Sequence, residues 1–145
     1  MFSVQRSMFD PKRPPIEVAA GLIFRHRKLL ITQRRLGDHL GGHWEFPGGK
    51  REPGETFEEC LRRELLEELG VEVEAGQFLL EVRHTYPEKV VQIRFFRCVW
   101  RQFEPQPLGC QDLKWVEQAE LSRHSFPDAD TQLVEMLLRE SQHWH

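Results

Sequence analysis

Cysteine is scarce in this 145-residue chain, and what there is does not pair: Cys60, Cys98 and Cys110 lie far apart and form no CxxC unit. An odd, scattered set excludes a disulfide framework and a structural zinc site, and points to a reducing, cytoplasmic setting. No apolar run approaches the length that spans a bilayer, so no membrane partner is expected. Residues 1–15 mix Arg6, Asp10, Lys12 and Arg13 with three prolines. They lack the apolar core of a signal peptide and read as a flexible arm, with Met1 or Met8 as the start. Excess positive charge is missing too. A net charge of -3 provides no global field to hold duplex nucleic acid or an anionic membrane, and leaves only local basic patches for phosphate groups. Internal repeats and low-complexity tracts are also absent.

What is present suits one soluble domain, expected over residues 16–145, because a chain of this length buries a core without metal or disulfide staples. Residues 16–24 read as a buried strand, residues 25–28 as a charged turn, and residues 29–33 as a second strand, giving a hairpin. Residues 35–43 carry three glycines and form a loop. Thr56 with Glu59 fits a capping box, and Gly70 fits the left-handed position that ends a helix. Between them Phe57, Leu61, Leu65 and Leu69 form one apolar stripe. Residues 76–84 and 90–100 read as strands around a turn at Pro87, and residues 113–116 as a short strand. Residues 130–141 form an amphipathic helix around Leu133, Met136 and Leu137. The mixture implies an α/β class with a mixed sheet covered by helices.

On the central helix Glu64, Glu67 and Glu68 stand at i, i+3 and i+4, so their carboxylates share a face that adjoins the apolar stripe. Like charges at that spacing cost roughly 0.2–0.5 kcal/mol per pair, and the helix dipole disfavours anions so near its C-terminal end. A hard divalent cation would offset both, since magnesium prefers carboxylate oxygens. Taken alone, three such glutamates more often make a solvated acidic face, here with Arg62 and Arg63 as partners.

The surrounding pattern weighs against that plainer reading. Residues 49–71, GKREPGETFEECLRRELLEELGV, are similar at every defining position to the Nudix box: Gly49, Glu55, Arg63, Glu64, Leu65, Glu67, Glu68, Gly70 and Val71. Nine specified positions in one short window make a strong signal. The resemblance implies a Nudix α/β/α sandwich with a central mixed sheet, and a Mg2+ cofactor, with Mn2+ as a substitute. The metal would be held by Glu64, Glu67 and Glu68 with the carbonyl of Gly49. Glu55 would orient Arg63 by a charge-assisted bond. Glu64 is the residue assigned to activate the attacking water, so Glu55, Arg63, Glu64, Glu67 and Glu68 form the catalytic set.

Gln33-Arg34, the run from Trp44 to Lys50, and Phe126-Pro127-Asp128-Ala129-Asp130 resemble the corresponding stretches of MutT-type members of that family, so the likeness covers roughly residues 16–138. It makes Arg34, Phe46, Lys50 and Asp130 the substrate-binding residues. For Phe46 core packing is an equal alternative, and for Asp130 a helix cap is. MutT proteins carry asparagine where Asp130 stands. An ionised aspartate only accepts hydrogen bonds, which favours an exocyclic amine or ring N–H over a carbonyl oxygen, weighs against strict selection of 8-oxoguanine and leaves cytosine or adenine-type bases open. Related cytidine-triphosphate pyrophosphatases resemble the chain at this point. Many MutT-like chains also have a glutamate six residues before the last strand's tryptophan. Counted back from Trp115 that position is Gly109, which leaves Glu104, Gln111 or Asp112 as replacements, or a site of the helix glutamates alone. His39 and His84-Thr85-Tyr86 are given no catalytic role, and His143-Trp144-His145 is too short for a metal site.

The implied activity is hydrolysis of a (deoxy)nucleoside triphosphate to the monophosphate and pyrophosphate, with nucleotide-pool sanitation as the setting. The alternatives are another nucleoside-diphosphate linkage (nucleotide sugar, dinucleoside polyphosphate or RNA 5′ end) and a non-catalytic nucleotide sensor. The partner expected is a nucleotide, bound by a monomer or homodimer.

Overall fold

A computed structural model describes residues 14–145, and the arm read from the sequence lies, up to Arg13, outside the described residues. Ten elements position the site. Strand β1 (Ile16–Leu22) is central: it pairs in parallel with β7 (Lys89–Gln102) and antiparallel with β5 (Gly48–Lys50). Strand β6 (Glu72–Tyr86) lies antiparallel on the outer side of β7, giving a mixed sheet of order β5-β1-β7-β6. In the second sheet β3 (Lys28–Gln33) pairs antiparallel with β2 (Phe24–Arg25), β4 (Trp44–Glu45) and β8 (Asp112–Val116).

One expectation is corrected here. Residues 16–24 do not form one strand that folds back on residues 29–33. The chain breaks at Ile23, and only Phe24 and Arg25 pair with Leu29 and Lys28, around His26 and Arg27 at φ 52 and 65. That two-residue left-handed turn suits a tightly twisted hairpin. Strand β1 itself is an almost unbroken apolar run with Ala19 and Leu22 fully buried. Such a run belongs inside a sheet covered on both faces, so its neighbours come from far along the chain.

The pleat distributes side chains to two apolar layers. Ala19 of β1, Leu30 of β3 and Phe96 of β7 pack with Leu61, Leu65 and Leu69 of helix α1 (Phe57–Leu69). Their neighbours Ala20, Leu29, Ile31 and Phe95 face the opposite way, onto Leu133 and Leu137 of helix α2 (Thr131–Arg139). The result is an α/β/α sandwich, the architecture that the resemblance implies, with the period-two alternation of the strands sending side chains to both layers. Helix α1 is delimited by its caps: Thr56 and Glu59 bond reciprocally, at 3.0 and 2.8 Å, and Gly70 at φ 68 donates to Leu66. Helix α2 is shorter than the sequence pattern, because residues 128–130 form a separate 3-10 turn. Among the described residues no helix is long and apolar enough to cross a membrane.

The terminal His143-Trp144-His145 proves to be an anchor. Trp144 is buried, donates Nε1–H to the Leu137 carbonyl at 2.9 Å, and sets its ring edge-on to Phe24 at 5.3 Å. Arg97 lies over Phe24 and donates to the carbonyls of His143 and His145 at 2.6 and 3.0 Å. Trp144→Ala is therefore expected to cost about 3–5 kcal/mol in chemical denaturation. A loss below about 1 kcal/mol would show that the tail is merely laid on the surface.

Candidate active site

The site begins where strand β5 meets helix α1. A side chain at Gly48 would collide with the Ala19 carbonyl, and one at Gly49 would collide with the Glu64 carboxylate. Two glycines are therefore needed for close approach: one lets β5 lie on β1, the other lets Glu64 lie on β5. The loop is then tied to the helix twice. Cys60, fully buried, directs its thiol to the Gly49 carbonyl at 3.4 Å, and Arg63 donates to the Lys50 carbonyl at 3.0 Å.

Arg63 is the hub of the acidic residues. It grips Glu55 with two bonds of 3.1 and 2.7 Å and Glu64 with one of 2.6 Å, while Glu67 and Glu52 lie 3.5 and 3.7 Å away. The Arg63 bonds, with a backbone N–H from Glu52, hold the Glu55 carboxyl down at about 2. The bonds to Glu55 raise Arg63 above its already high value.

The three helix glutamates occupy different surroundings. Glu67 is exposed, Glu64 is mostly covered and raised chiefly by burial, and Glu68 is pushed up to about 8. Burial is the largest cause for Glu68, followed by the charges of Glu45 and Glu64, against which Arg34 and the Gly48 N–H work. Among the described residues no three acidic, imidazole or thiol groups converge into a ready metal cluster. The compact Glu64, Glu67, Glu68 set expected from their spacing is not preassembled, because the Arg63 guanidinium stands against both Glu64 and Glu67. The residues nevertheless fit a hard cation. The donors available are oxygens, and burial together with mutual repulsion raises Glu64 and Glu68, a deficit of positive charge that a dication relieves.

Beside this cluster opens a cleft of about 410 Å³. It brings together all four substrate residues expected from sequence, Arg34, Phe46, Lys50 and Asp130, with Gly49 and Glu64 at the same opening. Glu55, Arg63, Glu67 and Glu68 do not line it. Arg34 is fixed by Glu45 at 2.9 Å and by the His39 carbonyl at 2.7 Å. Phe46 is both wall and core: it is 4% exposed, stacks on Phe126 at 5.1 Å and meets Phe95 edge-on.

Asp130 differs from expectation in two ways. It precedes helix α2 but makes no side-chain cap bond. It is 6% exposed, and burial, with the Glu45 charge, pushes it up to about 8 despite Arg34. At neutral pH it is mainly the acid, which donates as well as accepts, so the accept-only argument made for an ionised aspartate does not apply.

Two cleft residues, Glu45 and Lys89, carried no signal that singled them out, and Tyr86 is given no role on sequence grounds. His39, set aside on sequence grounds, lines the opening as well. Glu45 sits within the Trp-Glu-Phe-Pro run, whose resemblance to MutT-type chains is the available hint. Neither of the proposed replacement acids, nor Gln111, is hydrogen-bonded to the glutamates. Glu104 is bound to Arg25, whose guanidinium lies over Trp115, Gln111 is used in backbone pairing with Gln33, and Asp112 accepts from the Leu113 N–H. Gly109 packs directly on Glu68, leaving Glu45 as the further carboxylate whose charge reaches it.

Comparison with known proteins agrees with this geometry. The family model of the NUDIX domain matches residues 19–136. An 8-oxo-dGTP diphosphatase of Haemophilus influenzae is 36% identical over 129 residues, covering 87% of this chain and 93% of that one. A CTP pyrophosphohydrolase of Escherichia coli is 32% identical over 123 residues, covering 85% and 91%. In three dimensions the MutT protein from Methanosarcina mazei superposes with a TM-score of 0.79 over 90% of this chain and 98% of its own, at 24% identity. The chain belongs to the Nudix family, as one of its MutT-like hydrolases.

Proposed function

We propose that this protein hydrolyses nucleoside triphosphates between the α- and β-phosphates, releasing the monophosphate and pyrophosphate. The carrying observation is that one cleft is lined both by the polar groups Gly49, Lys50, Glu64 and Asp130 and by the apolar side chains Phe46, Val91 and Ile93, as a phosphate chain with a base requires. The relatives named for acting on 8-oxo-dGTP and on CTP support a triphosphate and differ in the base. Glu64, Glu67, Glu68 and the Gly49 carbonyl would hold magnesium, with manganese as a substitute. When bound, the cation neutralises phosphate charge and acidifies water.

The chain's own groups do the rest. Lys50 and Arg34 bind phosphate oxygens, and Glu45 keeps Arg34 in place. Water attacks phosphorus, the bridging P–O bond breaks, and Glu64 takes the proton from the attacking water. Arg63, fixed by Glu55, positions Glu64. Asp130, as the acid, offers a base edge both a donor and an acceptor, as an amide would.

A screen with magnesium of canonical and oxidised nucleoside triphosphates, alongside nucleotide sugars and dinucleoside polyphosphates, tests the reading by the phosphate released. Pyrophosphate from a triphosphate is expected. Turnover of the sugars or dinucleotides alone would overturn it. Glu64→Gln should lower kcat by roughly 10²-fold or more while calorimetry still detects nucleotide binding. Unchanged turnover would remove Glu64 from the chemistry. Glu55→Gln, acting through Arg63, should cost roughly 10- to 100-fold.

Asp130 also makes a stability prediction. Its folded pKa lies above the unfolded one, so the folded state holds the extra proton, and stability falls as pH rises from about 4 to about 8. Asp130→Asn lacks this loss. Thermal melts should show the variant gaining on the wild type across that window, by at most about 1.4 kcal/mol per pH unit. Parallel curves would mean that Asp130 is ionised in the fold.

A further inference from the structure

Tyr86, the chain's single tyrosine, ends strand β6 at the rim of the cleft, opposite Lys89 across the turn to β7. Its hydroxyl oxygen accepts the Ala129 N–H at 3.3 Å. Ala129 precedes Asp130, and both are buried in the turn between Pro127 and helix α2. The Tyr86 ring meets two imidazoles edge-on, His39 at 6.3 Å and His84 at 4.6 Å. His39 belongs to the other wall, where its carbonyl accepts from Arg34, which in turn is bound to Glu45. The contacts therefore run from Glu45 through Arg34, His39 and Tyr86 to Ala129 and Asp130. Tyr86 is the member that touches both walls.

We infer that Tyr86 is a positioning residue for base selection: it fixes Asp130 at a set distance from the Arg34 wall, through its hydroxyl on one side and its ring on the other. This rests on the reading of the cleft as a nucleotide site. Asp130 makes no cap bond of its own, so the turn that carries it depends on ties such as this one. Freeing the turn blurs where a base edge finds its partner and leaves the glutamate cluster on helix α1 untouched. Discrimination should fall before turnover does.

The test compares wild type with Tyr86→Phe, Asp130→Asn and the double variant. Tyr86→Phe keeps the ring and removes one hydroxyl from a partly exposed position, so the fold is retained. Two readouts are used: backbone amide exchange at Ala129 without nucleotide, and kcat and KM for guanine and cytosine nucleoside triphosphates with magnesium. In Tyr86→Phe the Ala129 amide should exchange faster. The ratio of the two kcat/KM values should shift by roughly two- to tenfold, carried by KM. Adding Tyr86→Phe to Asp130→Asn should change the ratio no further, because both act on one contact. Equal losses for both nucleotides, additive effects, or undisturbed exchange at Ala129 would overturn the inference. Failure of the wild type on every triphosphate would instead sink the nucleotide reading, and the exchange result would then decide the anchoring alone.

Discussion

The site depends on one guanidinium. Arg63 projects from the middle of helix α1 into a ring of carboxylates and takes a loop carbonyl at the same time, so it bonds Glu55, Glu64 and Lys50 together. A planar fork with five donors can serve several acceptors at fixed angles, which a lysine ammonium cannot. The bonds join a turn before the helix, the helix itself and the strand beyond, so the geometry of Glu64 is set by three separate segments. Gly49 completes the arrangement by offering no side chain where the Glu64 carboxylate lies. Removing the hub would leave several half-buried carboxylates without a counter-charge, a larger penalty than the loss of any single bond.

Negative charge dominates the inner surface, and the protein manages it in two ways. Glu55 is fully ionised, because its partner is close and its bonds are good. Glu68 and Asp130, for which burial outweighs the charge of Arg34 and, at Glu68, the Gly48 N–H, hold their protons toward neutral pH. The consequences differ: Glu55, ionised, orients Arg63; Asp130, as the acid, presents a hydroxyl to a ligand; and Glu68 would lose its proton beside a bound dication. Arg34 lies between these regimes, bound to Glu45 and felt by both raised acids.

The helix and its caps were legible because their signals are local. Thr56, Glu59 and Gly70 fix the ends within a few residues, and the leucine stripe fixes the buried face. The residues assigned to substrate, Arg34, Phe46, Lys50 and Asp130, came from resemblance, and the fold collects them at one cleft. Sequence pattern failed where partners are distant. The hairpin at Phe24 was found, but not that β1 ends before Ile23, since β1 pairs with β5 and, across the helix region, with β7. Glu45 is one residue of the run 44–50, and Tyr86 reads as part of a turn with no role; their importance lies in contacts with Arg34 and Ala129. The state of Asp130 was equally out of reach, because burial of that turn depends on tertiary packing.

The parallel pairing of β1 with β7 has a consequence for how the chain assembles as it is made. Ile16 finds its neighbour in Val91, and Leu22 finds Arg97. Until that stretch leaves the ribosome, the most apolar strand has no partner on that side, while the capped helix and the two-residue hairpin can already form from adjacent residues. Contacts of such long sequence separation are slow to close. The nascent protein thus carries an exposed β1 through more than half of its synthesis, and this strand is the natural target for a chaperone or for misassociation.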